Sequence, residues 1–118
     1  MHIVANVLIA FVAVLHLLFM FLEMFMWERP MGCKVFGHSS HHALSSKVLA
    51  KNQGLYNGFL AAGLIWGLWL GEAGDAIKIF FLSCVIVAGV FGAMTATKKI
   101  LFVQALPAAL GLGAVFLF

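Results

Sequence analysis

At 118 residues the chain has the length of one domain, expected to run over 1–118 as a unit. Hydrophobic residues make up 64% of it and charged residues only 9%, which excludes an ordinary soluble surface. The net charge of +3 sits mostly beside apolar segments, where lysines orient helices and meet anionic headgroups, so it is not read as affinity for nucleic acid.

The first apolar run, Ile3–Trp27, exceeds the roughly 20 residues that a spanning helix requires. It lacks a basic start and a small-residue cleavage site, and its apolar stretch is too long for a secretory signal, so it is expected to be a retained helix. At about 100° per residue, and with His16 at zero, Glu23 falls near −20°, Trp27 near +20°, His2 near +40° and Asn6 near +80°. The polar side chains thus share one stripe. An ionisable group in hydrocarbon costs at least a few kcal/mol, so the stripe is expected to face protein or a wet cavity. A carboxylate one turn from the interface that reaches headgroup water is the alternative.

Glu28-Arg29-Pro30 is a charged break in which Pro30 is expected to end the first helix, with Gly32 and Gly37 keeping the following residues irregular. Ser39 or Ser40 can cap a new helix, and nothing from there to Gly71 forbids its continuation. Leu44, Val48 and Leu49 among Ser, His and Lys suggest that Ser40–Asn52 is an amphipathic lead-in at the cytoplasmic surface.

The second span is expected over Gly54–Gly71, the third over Ala76–Thr97 and the fourth over Ile100–Phe118. Small residues recur four apart as Gly54, Gly58, Ala62, as Gly63, Gly67, Gly71, and as Cys84, Ala88, Gly92, Ala96, lines that let helix backbones approach closely. Such faces serve packing within one chain or a homo-oligomer. Pro107 frees the carbonyl near Val103 and can kink the fourth helix. Short turns make neighbouring helices antiparallel. The expected fold is all-α, an integral membrane up-down-up-down four-helix bundle with that short lead-in to helix two.

Arg29, Lys34, Lys47, Lys51, Lys98 and Lys99 then lie on one side and Lys78 alone on the other. The positive-inside rule places loops 28–53 and 98–99 in the cytoplasm and both termini outside, in a bacterial inner membrane. Cys33 and Cys84 differ in depth and compartment, which disfavours a disulfide between them.

Helical rise puts Glu23, Tyr56, Asn57, Thr95 and Gln104 in the inner half of the bilayer, with Asn52 and Gln53 at its entrance. Asn52 with Tyr56, and Gln53 with Asn57, are four apart and stack on one side of helix two. Amides, a phenol and a carboxylate can therefore meet in one layer, as hydrogen-bonding glue or as the wall of a small cavity open to the cytoplasm.

The segments HLLFMFLEMFMW (His16–Trp27), LAKNQGLYNGFLAAGLIWG (Leu49–Gly67), CVIVAG (Cys84–Gly89) and QALPAAL (Gln104–Leu110) resemble a small integral membrane family found mainly in bacteria and known only as a domain of unknown function. The resemblance spans nearly the whole chain, with NQGLYNGFLAAG its most specific part. It implies a four-helix membrane protein whose signature segments include Glu23, Asn52, Gln53, Tyr56 and Asn57, and it brings no activity. The HSSHH segment is where members of that family are expected to differ.

His38, His41 and His42 would share a helix face, but no carboxylate or fixed thiolate other than Cys33 accompanies them, so no metal site is assigned. Met20, Met24, Met26, Met31 and Cys33 are read as packing sulfur rather than a copper path, and Trp27, Trp66 and Trp69 as interfacial anchors. No nucleotide loop, nucleophile–base pair, CxxC or zinc signature is present, and no cofactor is implied.

The leading functional expectation is binding or transport of a small molecule, with Glu23 exchanging a proton for a cationic or polar solute and a site drawn from Glu23, Asn52, Gln53, Tyr56, Asn57, Gln104, His16 and Trp27. Length and helix count invite comparison with the small multidrug exporters, which also carry one glutamate in helix one, but the surrounding residues do not match. An intramembrane enzyme acting on a lipid-soluble substrate, with Glu23 shuttling a proton and Tyr56 or Asn57 stabilising charge, is the second expectation. A scaffold or assembly subunit is the third. Whether the protein is an enzyme, and which residues would then be catalytic, stays open.

Overall fold

The computed structural model describes residues 2–117. Met1, Phe118 and the side chain of His2 lie outside the described residues, and with them the place of His2 on the polar stripe and the last residue of the expected fourth span. The described residues are all-α, with no strand among them.

Among the described residues five α-helices follow one another: α1 (His2–Phe25), α2 (Pro30–Phe36), α3 (Ser40–Trp69), α4 (Asp75–Thr95) and α5 (Leu106–Leu117). A 3₁₀ turn, Gly71–Gly74, joins α3 to α4, and a π-helical turn, Leu101–Ala105, leads into α5. Two stretches are long and apolar enough to cross a membrane by length and composition, Ile3–Phe25 with mean hydropathy 2.6 and Gly71–Thr95 with 2.3; the apolar helix Leu101–Leu117 is shorter. Their outer faces stay apolar, with Val7, Phe11 and Val14 of α1 and Val87 and Phe91 of α4 exposed.

The break after α1 differs from the expectation. The first helix ends at Phe25, before the proline, and Pro30 opens α2 where an irregular loop was expected. Proline suits a first helical position because its missing N–H would have no intrahelical partner there and its φ is already helical. Gly32 does not loosen this helix. A Cβ at that position would fall 1.9 Å from the Met26 carbonyl oxygen, so the glycine admits a close crossing. The punctuating glycine is Gly37, whose φ of 71° closes α2 while its N–H donates to the Cys33 carbonyl. Ser39 then caps α3: its Oγ accepts the His42 N–H at 3.1 Å. From there the expected lead-in and the expected second span form a single hydrogen-bonded helix of 30 residues, about 45 Å long, with no break between them.

The chain divides into two compact units. One comprises the segments up to Val14 and from Leu60 onward; the other is Leu15–Phe59. The core of the first joins Ile9, Val12 and Ala13 of α1, Leu64 of α3, Leu82 and Val85 of α4, and Ala108 of α5. The small residues of α4 act within the chain here, since a Cβ on Gly89 would meet the Ala105 backbone nitrogen at 2.8 Å. Ala105 ends the π-helical turn, in which the Leu106 N–H donates to the Leu101 carbonyl five residues back. That wide turn immediately precedes Pro107 and relieves the clash its ring would make with the carbonyl one turn earlier. The proline is thus absorbed by the helix.

In the second unit α3 crosses the last turns of α1 at Gly54 and Gly58. A Cβ on Gly54 would lie 2.6 Å from Met24 Cγ and 3.2 Å from the Glu23 Cβ, and one on Gly58 would lie 2.8 Å from Met20 Sδ. Small residues on α3 therefore bring its backbone close to the face of α1 that carries Glu23.

Candidate functional site

Within the Leu15–Phe59 unit, Glu23 is 8% exposed and Asn57 is 5% exposed. The Asn57 side-chain amide donates to Glu23 Oε1. A buried carboxylate needs a donor, and the crossing at Gly54, one turn before Asn57, brings one within reach. The Glu23 side chain is thus buried within this unit, with Asn57 as its donor.

Beside this pair lies an open cleft of about 280 Å³, lined by Glu23, Trp27, His42, Ser46, Leu49, Ala50 and Gln53. The α3 residues of this group, with Asn57, fall within an arc of about 100° on one side of the helix. Glu23 and Ala50 are its buried parts, while His42, Leu49 and Gln53 are exposed at the rim. Glu23 is the one carboxylate of the lining, and no Lys or Arg takes part in it.

Trp27 is held from several sides. Its indole N–H donates to Ser46 Oγ at 3.1 Å, and the Ser46 hydroxyl donates to the His42 carbonyl at 2.7 Å. The Trp27 carbonyl accepts from His38 Nε2 at 3.0 Å, and its ring packs against His38 and Phe36 with centroids 4.2 and 4.8 Å apart. The short α2 and Gly37 return the chain so that His38 reaches Trp27; the tryptophan of the cleft wall is fixed by this local fold.

The expected site residues part company. Glu23, Trp27 and Gln53 line the cleft, and Asn57 braces Glu23. Asn52 and Tyr56 do not join them. Asn52 is exposed and its amide donates to the Val48 carbonyl of its own helix, while Tyr56 is 54% exposed with its ring against Phe59. Residues 52 and 56 share a helix face, but a face turned about 100° from that of 53 and 57, so 53 and 57 turn toward the cleft and 52 and 56 away from it. His16 is fully buried two turns earlier on α1, edge-on to the Phe19 ring at 5.5 Å. Gln104 lies in the π-helical turn of the other unit. His38 precedes α3 and is engaged with Trp27, so the three loop histidines do not share one helix face. Cys33 and Cys84 are free thiols.

Two features were missed from the sequence. His42 and Ser46 belong to the cleft, and stepping back along α3 from Asn57 by threes and fours reaches both. Lys78, counted only as an orienting charge, is 2% exposed in the other unit. Its Nζ donates to Asn6 Oδ1 at 3.2 Å and the Gly71 carbonyl at 3.1 Å, and meets Asp75 Oδ1 at 3.4 Å.

The sequence profile described as "Protein of unknown function (DUF1304)" matches residues 10–116. The chain belongs to the DUF1304 family. It is also similar to the uncharacterized protein YpaA of Lactococcus lactis subsp. lactis (strain IL1403), 32% identical over 106 residues that cover 88% of this chain and 89% of that protein. No solved structure matches it. The DUF1304 match covers α1 from residue 10 onward and all of α3, and so takes in the Glu23–Asn57 pair and the cleft.

Proposed function

We propose that this DUF1304 protein is a four-span inner-membrane protein that binds a small molecule in the cleft beside Glu23 and moves it across the bilayer. The observation that carries the reading is the buried Glu23–Asn57 pair on the wall of an open cleft. A carboxylate inside an apolar helix is a costly choice for mere packing, and a group that can take up and release a proton suits solute exchange. In this reading α1, the later part of α3, α4 and the helix through α5 are the four spans. The loops at 28–53 and 98–99 face the cytoplasm, both termini lie outside, and the cleft opens near the cytoplasmic end of α1. The close helix crossings at Gly54 and Gly89 favour small-residue packing within one chain over a scaffold role for those faces. Tyr56, on the outward face of α3, leaves the catalytic reading without its phenol.

The test uses proteoliposomes with an imposed pH gradient and a panel of cationic, neutral and anionic small solutes. Wild-type protein is expected to move at least one of them, and Glu23→Gln to lose that movement. Equal transport by the variant sinks proton exchange through Glu23; no transport and no shift in melting temperature with any solute sinks the whole reading.

A further inference from the structure

We infer that the ligand of this cleft is a small organic cation, an ammonium group held between the Glu23 carboxylate and Trp27. The inference rests on the small-molecule reading above and names its chemical class.

The hydrogen bonds of the wall decide the sign. The donors nearest the floor are already spent inside the protein: the Asn57 amide on Glu23 Oε1, the Trp27 indole N–H on Ser46, and the Ser46 hydroxyl on the His42 carbonyl. The acceptors are not. Glu23 Oε2 takes no hydrogen bond from any other described group, no polar side-chain atom among the described residues is both enclosed and unpartnered, and Glu23 lines the cleft. Only Gln53 and His42, at the exposed rim, add groups that can donate or accept. A guest at the floor must bring donors or positive charge.

Trp27 supplies the second element. An indole wall beside a carboxylate attracts a cation through the ring quadrupole, and the restraints from His38, Phe36 and Ser46 hold that ring in place before a guest arrives. The cleft volume of about 280 Å³ is at the small end for ligand sites, which suits a compact ammonium compound with a short apolar stem. A cation free in solution and the ammonium of a zwitterionic lipid headgroup present the same chemistry at the floor.

The probe is choline, set against its uncharged carbon isostere 3,3-dimethylbutan-1-ol. Full-length protein carrying Trp66→Phe and Trp69→Phe, so that Trp27 alone emits, is placed in nanodiscs of phosphatidylglycerol. Choline is expected to change Trp27 emission saturably, with affinity at least about tenfold above that of the isostere. Glu23→Gln should erase that difference. Leu49→Lys, which puts a positive charge at the exposed rim, should weaken choline more than it weakens the isostere. In discs of phosphatidylcholine, emission already shifted before choline is added identifies the headgroup as the source; an unshifted baseline identifies the free cation. Equal binding of choline and the isostere, or a choline preference that survives Glu23→Gln, overturns the cation assignment while leaving a small-molecule site intact. Absence of any choline response in both lipids overturns it as well, and the solute panel above then decides separately whether the cleft binds anything.

Discussion

Asn57 closes a hydrogen bond on Glu23 across 34 residues of sequence, and both side chains are buried. The pair ties the last turns of α1 to the middle of α3 and fixes the one carboxylate of the cleft wall.

Replacing Asn57 by Leu leaves the Glu23 carboxyl without its donor and should lower stability by about 1–3 kcal/mol. Asn57→Asp should be at least as damaging, since two carboxyl groups then face each other. Adding Glu23→Gln to Asn57→Asp restores a donor–acceptor pair with the roles reversed. Unfolding in mixed micelles, followed by helical circular dichroism, should show the double variant more stable than Asn57→Asp alone.

Lys78 anchors the turn between α3 and α4. Lys78→Met should cost about 1–3 kcal/mol, because the Asn6 carbonyl and the Gly71 carbonyl lose their donor in a buried place. Asp75→Asn should cost much less, since its side chain is 37% exposed and such pairs contribute little. The same unfolding assay ranks the two, and an equal loss for both would contradict this division.

Two glycines of similar helical setting should respond differently to a methyl group. Gly89→Ala pushes a Cβ against the backbone of Ala105, which cannot yield, and should destabilise by about 1–3 kcal/mol. At Gly58 the nearest atom is the flexible end of Met20, so Gly58→Ala should be nearly neutral. Melting temperatures of the two variants in detergent give the comparison directly.

The four-span arrangement makes a labelling prediction. Single cysteines at Ser40, Ala73 and Lys99, all exposed positions, are introduced after both natural cysteines are changed to serine. A membrane-impermeant maleimide applied to intact cells should react at Ala73→Cys alone, and should react with Ser40→Cys and Lys99→Cys only after lysis. Labelling of all three on one side would remove the proposed topology.

Particular residues mark how far sequence reading reached. Glu23 was legible because a carboxylate in an apolar helix is conspicuous, and Asn57 because an amide at matching depth is a natural answer to it. Depth puts Tyr56 in the same layer and Asn52 at its entrance, and the two pairs 52/56 and 53/57 are legible as stacks; which stack turns toward Glu23 depends on the rotation of α3 about its axis. His42 is weighed in the sequence only as a metal ligand and Ser46 not at all, because both lie upstream of the expected second span, in a stretch read as a surface lead-in. Lys78 was read by its charge and not by its neighbours, since Asn6 lies 72 residues away and only folding brings it near.

Helical content, the apolar faces and the presence of an acid that must find polar company follow from composition and from a period of 3.6 residues. Folding in three dimensions sets which partner each polar group takes: Asn57 for Glu23, Ser46 and His38 for Trp27, Asn6 for Lys78. Such pairings depend on the rotation and separation of whole helices, which are set by how closely glycines let backbones approach. No local pattern encodes that distance.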